Sequence, residues 1–386
     1  MNNRRMQRLV HAALVLCIAI SPIAASGQNS QRVGSNRPLT VMTRNMFIGT
    51  DFAPILGATS FDEFLIAVAN AYLDVQQSNI PERAAAVADE IQANQPHLIG
   101  LQEVSIWRTG PLGGPATAVT YDALQSLLDE LAVRGLHYTP IAILDEFQAE
   151  APSALGINIG FTDRDVVLAR SDLATTGLKL SNVQAQHFAT NFTFTSPILG
   201  QLTVPRGWIS VDGKIRGKQF RFVNAHLESF HPGVQAAQAS ELILGPANTE
   251  LPVMIAGDLN TESASGDPAL NAGYQIIVGA GFQDAWTVSH PADPGFTWPL
   301  HLEDPFTSVA PFQRIDLILF RGQLEVLSTE LFGHTPADRT ASGLWPSDHA
   351  GVVSSINLKP SMAKLDATVW NERVYARDRY SQALIP

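Results

Sequence analysis

Residues 253–260 read Val-Met-Ile-Ala-Gly-Asp-Leu-Asn. Val253 to Ala256 form an unbroken apolar run of the length a strand takes when both its faces are covered. Gly257 ends the run, and Asp258 and Asn260 follow where the chain leaves the sheet. On an extended backbone, residues two apart point the same way, so both side chains would share a face. An Asp-x-Asn taken alone is most often a turn. It does not open a calcium loop: Ser263 stands where the sharp-turn Gly belongs and Ala269 where the closing Glu belongs.

The same arrangement recurs on either side of this run. Val41-Met42-Thr43-Arg44 leads to Asn45, and Leu98-Ile99-Gly100-Leu101 leads to Gln102-Glu103. Phe222 to Ala225 leads to His226, and Trp345-Pro346-Ser347 leads to Asp348-His349, just before the apolar stretch Gly351–Ile356. Sites gather at such strand ends because the sheet fixes the backbone while the loop frees the side chain. Further strands are expected at 165–169 and 315–320. Helical apolar faces run from Pro81 to Ile91, from Tyr121 to Ala132 and from Val234 to Leu244. The pattern is mixed α/β, with more strand than a doubly wound fold requires. Residues 105–120 and 145–162 are rich in Gly, Pro and small residues and read as loops. Positions 46–102 form a long spacer between Asn45 and Glu103, which suggests an insertion over or beside a site.

Nine segments, in order, resemble the endonuclease/exonuclease/phosphatase superfamily, which includes DNase I-like nucleases, neutral sphingomyelinases and inositol-polyphosphate 5-phosphatases. They are TRNMFIG (43–49), GLQEV (100–104), RDVVLAR (164–170), NAHLES (224–229), GDLN (257–260), FQDAW (282–286), TWP (297–299), RIDLIL (314–319) and SDH (347–349). The resemblance covers roughly residues 39–357. It implies a four-layer α/β/β/α sandwich in which two mixed sheets pack face to face between outer helices, with the site at one edge.

The resemblance also implies a chemistry. A phosphate ester resists water because its negative charge repels the nucleophile. Hydrolysis therefore needs a cation on the phosphate oxygens, a base for water and a stabiliser of developing charge. Glu103 matches the family's main metal carboxylate, with Asn45 as its partner and Asp348 nearby; hard oxygen donors of this kind suit Mg²⁺ or Mn²⁺. Asp258 matches the residue that orients or deprotonates water, and Asn260 an amide donor to phosphate. His349 matches the essential histidine, held by Asp316, and acts either as a cation or as a base. His226 matches a second phosphate contact or the acid for the leaving oxygen. Its carboxylate partner is Asp165 or Asp163, with Asp165 the preferred reading. The implied substrate is a nucleic acid, a phospholipid headgroup or a small phosphate ester. The alternative is a catalytically silent binding protein on the same scaffold, which replaced site residues would favour; no matched position is replaced.

Composition narrows the class further. Apolar residues make up 45% of the 386 and charged residues 16%, enough to build a large core. A formal charge of −11 and the lack of a basic stripe argue against adhesion to nucleic acid through phosphate contacts alone. Arg4, Arg5 and Arg8, the apolar run Leu9–Ile20 and the small residues 24–27 have the three-part layout of a secretory signal peptide, expected over residues 1–26. A linker (27–38), the main domain (39–357) and a polar tail (358–386) follow. The sole cysteine, Cys17, lies in the leader, so the mature chain has no disulfide, thiolate zinc site or thiol nucleophile. The expected product is an exported monomer with no stable membrane anchor. N-terminal sequencing of the extracytoplasmic protein should begin near residue 27, and Met1 in a soluble cytoplasmic pool would contradict export.

Overall fold

A computed structural model describes residues 38–172, 177–302 and 304–359. The expected leader, nearly all of the linker and most of the tail lie outside the described residues. The chain opens with β1 (Leu39–Asn45), α1 (Ala53–Leu56), α2 (Phe61–Gln77), α3 (Ile80–Asn94) and β2 (Leu98–Gln102). Next come β3 (Ile106–Pro111), β4 (Ala118–Asp122), α4 (Ala123–Val133), β5 (Tyr138–Pro152) and β6 (Ile157–Arg170). The second half contains β7 (Lys179–His187), β8 (Phe192–Ser196), β9 (Gly200–Val204), β10 (Gly207–Ile215), β11 (Lys218–His226) and α5 (Pro232–Leu244). It continues through β12 (Val253–Asp258), α6 (Ala272–Gly279), β13 (Gln283–Asp284), α7 (Ala285–Ser289), β14 (Asp316–Arg321), β15 (Leu324–Phe332) and β16 (Gly351–Leu358).

One sheet runs β15-β16-β1-β2-β6-β3-β4, with β5 also paired to β6, and the other runs β13-β14-β12-β11-β10-β7. Three apolar clusters show how they stack. Ile209, Phe222 and Met254 of the second sheet meet Val41, Leu98 and Val167 of the first between the two sheets. Val68, Val87 and Leu127 of α2 to α4 cover the outer face of the first sheet. Ala239, Leu242 and Ile277 of α5 and α6 cover the second. The result is the α/β/β/α sandwich, because each sheet is apolar on both faces and needs two covers.

The helices start where their side chains cap them. Ser60 accepts from Glu63 N at α2, and Asp122 from Leu124 N and Gln125 N at α4. Two glycines mark close approaches, one between the sheets and one between the neighbouring strands β12 and β11. A Cβ on Gly100 would lie 2.4 Å from Asn224 Oδ1, and one on Gly257 would lie 1.9 Å from the Ala225 carbonyl oxygen. Asn224 uses that space to cross the interface, accepting from Gln102 Nε2 at 2.6 Å and donating to Leu101 O at 3.1 Å. The glycines of GLQEV and GDLN are thus packing requirements.

Two stretches differ from the sequence reading. Residues 105–120 contain β3 and the start of β4, and 145–162 contain the end of β5 and the start of β6, so neither is simply a loop. Register shifts between Pro140 and Ala142 and between Asp145 and Gln148 break the alternation of β5. The long spacer forms α1, α2, α3 and β2, and α1 and α2 stand beside the site.

Candidate active site

The parallel pairing of β1 and β2 sets Asn45 opposite Gln102, so Glu103 emerges next to Asn45. In the facing sheet, Asp258 of β12 is paired with Asp316 of β14, and β11 ends beside them at His226. The strand ends of both sheets therefore converge on one edge.

Asp258 Oδ2 is the meeting point. Asn45 Nδ2 donates to it at 3.1 Å, and Nε2 of His226 and of His349 lie 3.7 and 3.8 Å away. Asn45 Nδ2 also donates to Glu103 Oε1 at 3.0 Å, while its Oδ1 accepts from Phe47 N. Asn45 thus links the two carboxylates through its amide nitrogen. Glu103 sits at φ +57°, a left-handed conformation uncommon for a side-chain residue, and its other oxygen accepts from Ile48 N at 2.9 Å. A cavity of about 540 Å³ opens over Glu103, His226, Asp258, Asn260, Asp348 and His349.

Asp258 and Asn260 do not lie on one extended strand face. Asn260 has φ +49°, donates from Nδ2 to Leu227 O at 2.9 Å and receives Gln235 Nε2 on its carbonyl. The chain turns immediately after β12, which is why the two-residue spacing does not behave as strand.

The two histidines carry different charges. His349 Nδ1 lies 2.8 Å from Asp316 Oδ2, as the resemblance implied. Burial pushes its pKa down, but Asp316, Asp348 and Asp258 together outweigh that and hold it well above the usual range. The ring is therefore cationic, with Nε2–H facing Asp258 and Asp348. His226 is the reverse. Burial, then Arg206, then His349 hold its pKa well below the usual range, so it is neutral and its close carboxylates are not ion partners. Arg206 Nη1 lies 3.0 Å from His226 Nδ1. A guanidinium can only donate, so Nδ1 accepts and the proton is on Nε2, toward the cavity.

The carboxylate expected to hold His226 stands farther off. Asp165 Oδ1 is 3.7 Å from Nδ1, as is Glu146 Oε2, and Asp163 pairs with Arg206 at 3.4 Å. Arg206 occupies the position that a carboxylate partner would need. Burial, then Glu146 and Asp163, hold Asp165 well above the carboxylate range.

The remaining motif residues brace this geometry. Arg44 donates to the His349 carbonyl oxygen and pairs with Glu90 at 3.0 Å. Thr297 Oγ1 accepts from Ile315 N and Asp316 N, and Trp298 Nε1 donates to Asp348 Oδ2 at 3.3 Å. Arg164 Nε donates to Val104 O at 2.8 Å, next to Glu103, and Arg314 pairs with Asp284.

The donor set suits a hard divalent cation. Oxygens of Glu103 and Asp258 lie within 4.8 Å of one another and of His226, whose cavity-facing Nε2 carries its proton and leaves the oxygens as the donors. Burial raises the Glu103 pKa to about 7, with Asp348 and Asp163 adding repulsion, and burial raises Asp258 to about 6. Close by, Glu146 Oε1, Asp163 Oδ1 and both Asp165 oxygens are buried without a hydrogen-bond partner. Arg206 pairs with Glu146 and Asp163, so one guanidinium faces three desolvated carboxylates, and the crowding favours a further positive charge nearby.

Residues 67–349 match the model of the Endonuclease/Exonuclease/phosphatase family. The chain belongs to this family. Its members hydrolyse phosphate esters, and this chain has the family's mixed α/β sandwich. An endonuclease/exonuclease/phosphatase from Bacteroides vulgatus is 17% identical, covers 83% of this chain and 99% of its own, and gives a TM-score of 0.51. A family protein from Leptotrichia buccalis C-1013-b is 16% identical over 82% of this chain and 99% of its own, at a TM-score of 0.52. The human Nocturnin catalytic domain with bound sulfate is 17% identical over 84% of this chain and 94% of its own, at 0.50. No curated protein sequence matches the chain.

In this member of the Endonuclease/Exonuclease/phosphatase family, the candidate residues Asn45, Glu103, His226, Asp258, Asn260, Asp316, Asp348 and His349 share the edge named above, with Asp165 beside His226. Sequence reasoning missed Glu146 and Arg206. Glu146 lies at the β5 register shift, and Arg206 directly precedes Gly207, which pairs with His226. No local motif marks either residue.

Proposed function

We propose that this chain is an exported phosphoesterase that uses Mg²⁺ or Mn²⁺ to direct water onto a phosphodiester or phosphomonoester. The observation that carries this reading is the convergence of a cationic His349, a neutral His226 and Asn45 on Asp258. Glu103 would hold the ion, with Asn45 and Asp348 beside it. A bound divalent ion supplies positive charge for the phosphate oxygens. Asp258 orients the attacking water and takes its proton. The Nε2–H groups of His349 and His226 face the cavity and donate to phosphate oxygens as charge builds there. Asp316 holds the His349 ring in place, and Asn260 lies at the cavity wall beside Asp258. The bond from phosphorus to the leaving oxygen breaks as the bond from water forms, and the leaving oxygen departs with the bonding pair and takes a proton from a cavity-facing histidine Nε2–H.

The silent-binder alternative has no replaced site residue to support it. We take the functional unit to be a monomer whose partner is its phosphate-ester substrate. No helix among the described residues is long and apolar enough to cross a membrane. Assay of the purified mature chain with Mg²⁺ against plasmid DNA, RNA, sphingomyelin, inositol phosphates and a chromogenic diester tests the reading. Turnover of at least one is expected, and none on any would contradict it.

A further inference from the structure

A second cavity, of about 440 Å³, opens directly beside the catalytic one. The two share Ile48, Thr50, Asp51, Glu103, Arg206 and Ser229 in their walls, so a ligand with its phosphate at Asp258 can extend into the second without leaving the protein. Away from that junction the lining is mostly hydrocarbon, with Gln148, Glu150 and Asp163 its polar or charged side chains. Phe52 and Ile55, from the α1 region, and Phe64 of α2 form one wall, and Phe194 and Leu202 of the β8–β9 hairpin another. Trp107, Phe161 and Phe52 pack together at one side of it, with ring centroids 4.7 to 6.0 Å apart. Phe230 and Leu199, also in the lining, are 57% and 41% exposed.

A volume of this size lies in the range that holds small-molecule groups. The charged groups in its lining are Asp51, Glu103 and Arg206 at the junction, Asp163 paired to Arg206, and the exposed Glu150. None forms a cationic track for a second phosphate. Large side chains left partly exposed around a cavity mark a place where apolar surface is to be covered.

We infer that this cavity takes a bulky hydrocarbon group attached to the scissile phosphate, so that the substrate is a phosphate ester with an apolar arm. The inference rests on the phosphoesterase reading and names its substrate class. The arm could be an alkyl chain or an aromatic ring; both are the same chemistry to these walls.

Dimethyl, butyl methyl, octyl methyl and phenyl methyl phosphate diesters, assayed with Mg²⁺ by chromatography of the products, test it. Each buried methylene contributes up to about fourfold in kcat/KM. The octyl ester should therefore exceed the methyl ester by at least about thirtyfold, allowing for incomplete burial. A gain confined to the octyl ester identifies a chain, and an equal gain for the phenyl ester shows that rings also fit. A methyl ester that turns over, with no gain for octyl or phenyl, would overturn the inference while leaving the phosphoesterase reading intact. Should no diester turn over, calorimetric titration with methyl and octyl phosphate decides: octyl phosphate should bind at least about tenfold tighter, and equal affinities would overturn the inference. Ala149 is exposed on β5 and lines the cavity. Ala149→Trp should lower the octyl-to-methyl ratio about tenfold or more with an unchanged circular dichroism spectrum. An unchanged ratio would count against the inference.

Discussion

His349→Ala and Asp258→Ala each lower kcat by at least about 10²-fold, the lower range for losing a positioned acid–base group. His349 is the only cationic ring at the cavity among the described residues, and water cannot replace its fixed charge. Asp258 is the carboxylate on which both histidines and Asn45 converge. Asp316→Asn costs less, because an amide still orients the ring while giving up the charge that keeps it protonated. The pH profile follows from the same groups. Burial holds Asp258 at about 6, and a base must be ionised. Below that limb kcat should fall about tenfold per pH unit, and a bound cation, which favours the carboxylate, moves the limb to lower pH. All three variants should fold, since the changes lie at strand ends, and circular dichroism checks this. Near wild-type turnover in both alanine variants on a confirmed substrate would remove the assigned site.

Removing the metal is the second large effect. Dialysis against EDTA should abolish turnover, and Mg²⁺ or Mn²⁺ should restore it. Full activity in EDTA would contradict the mechanism. Asn45→Ala extends the test. Its amide ties Glu103 to Asp258, and losing such a support typically weakens metal binding 10- to 100-fold. The metal concentration for half-maximal activity should rise by about that factor. An unchanged requirement would place Asn45 outside the support of the metal site.

The strand-end residues were legible because burial writes a continuous apolar run and the site begins where the run stops. Val253–Ala256 before Asp258 and Leu98–Leu101 before Glu103 both show it. The Asp316–His349 contact was legible only through the resemblance, since 33 residues separate the pair. Glu146 and Arg206 were not legible. Glu146 sits where β5 shifts register, so no alternation marks it as buried, and the salt bridge that pairs it with Arg206 spans 60 residues. The misread loops have the same origin. Both β3 and β4 are largely half-exposed or exposed, and β5 is broken by its register shifts, so neither period nor apolarity distinguishes them from coil. The left-handed φ of Asn260 depends on how β12 meets Leu227, which spacing alone does not carry.

The central claim is that water attacks phosphorus at Asp258. Hydrolysis of a confirmed ester substrate in oxygen-18 water, with the product read by phosphorus NMR, tests it most directly. The wild-type chain with Mg²⁺ should place one labelled oxygen in the phosphate product, and the Asp258→Ala chain should form at least about 10²-fold less of that product in the same time. Unlabelled phosphate product, or equal labelled product from both chains, would contradict the account.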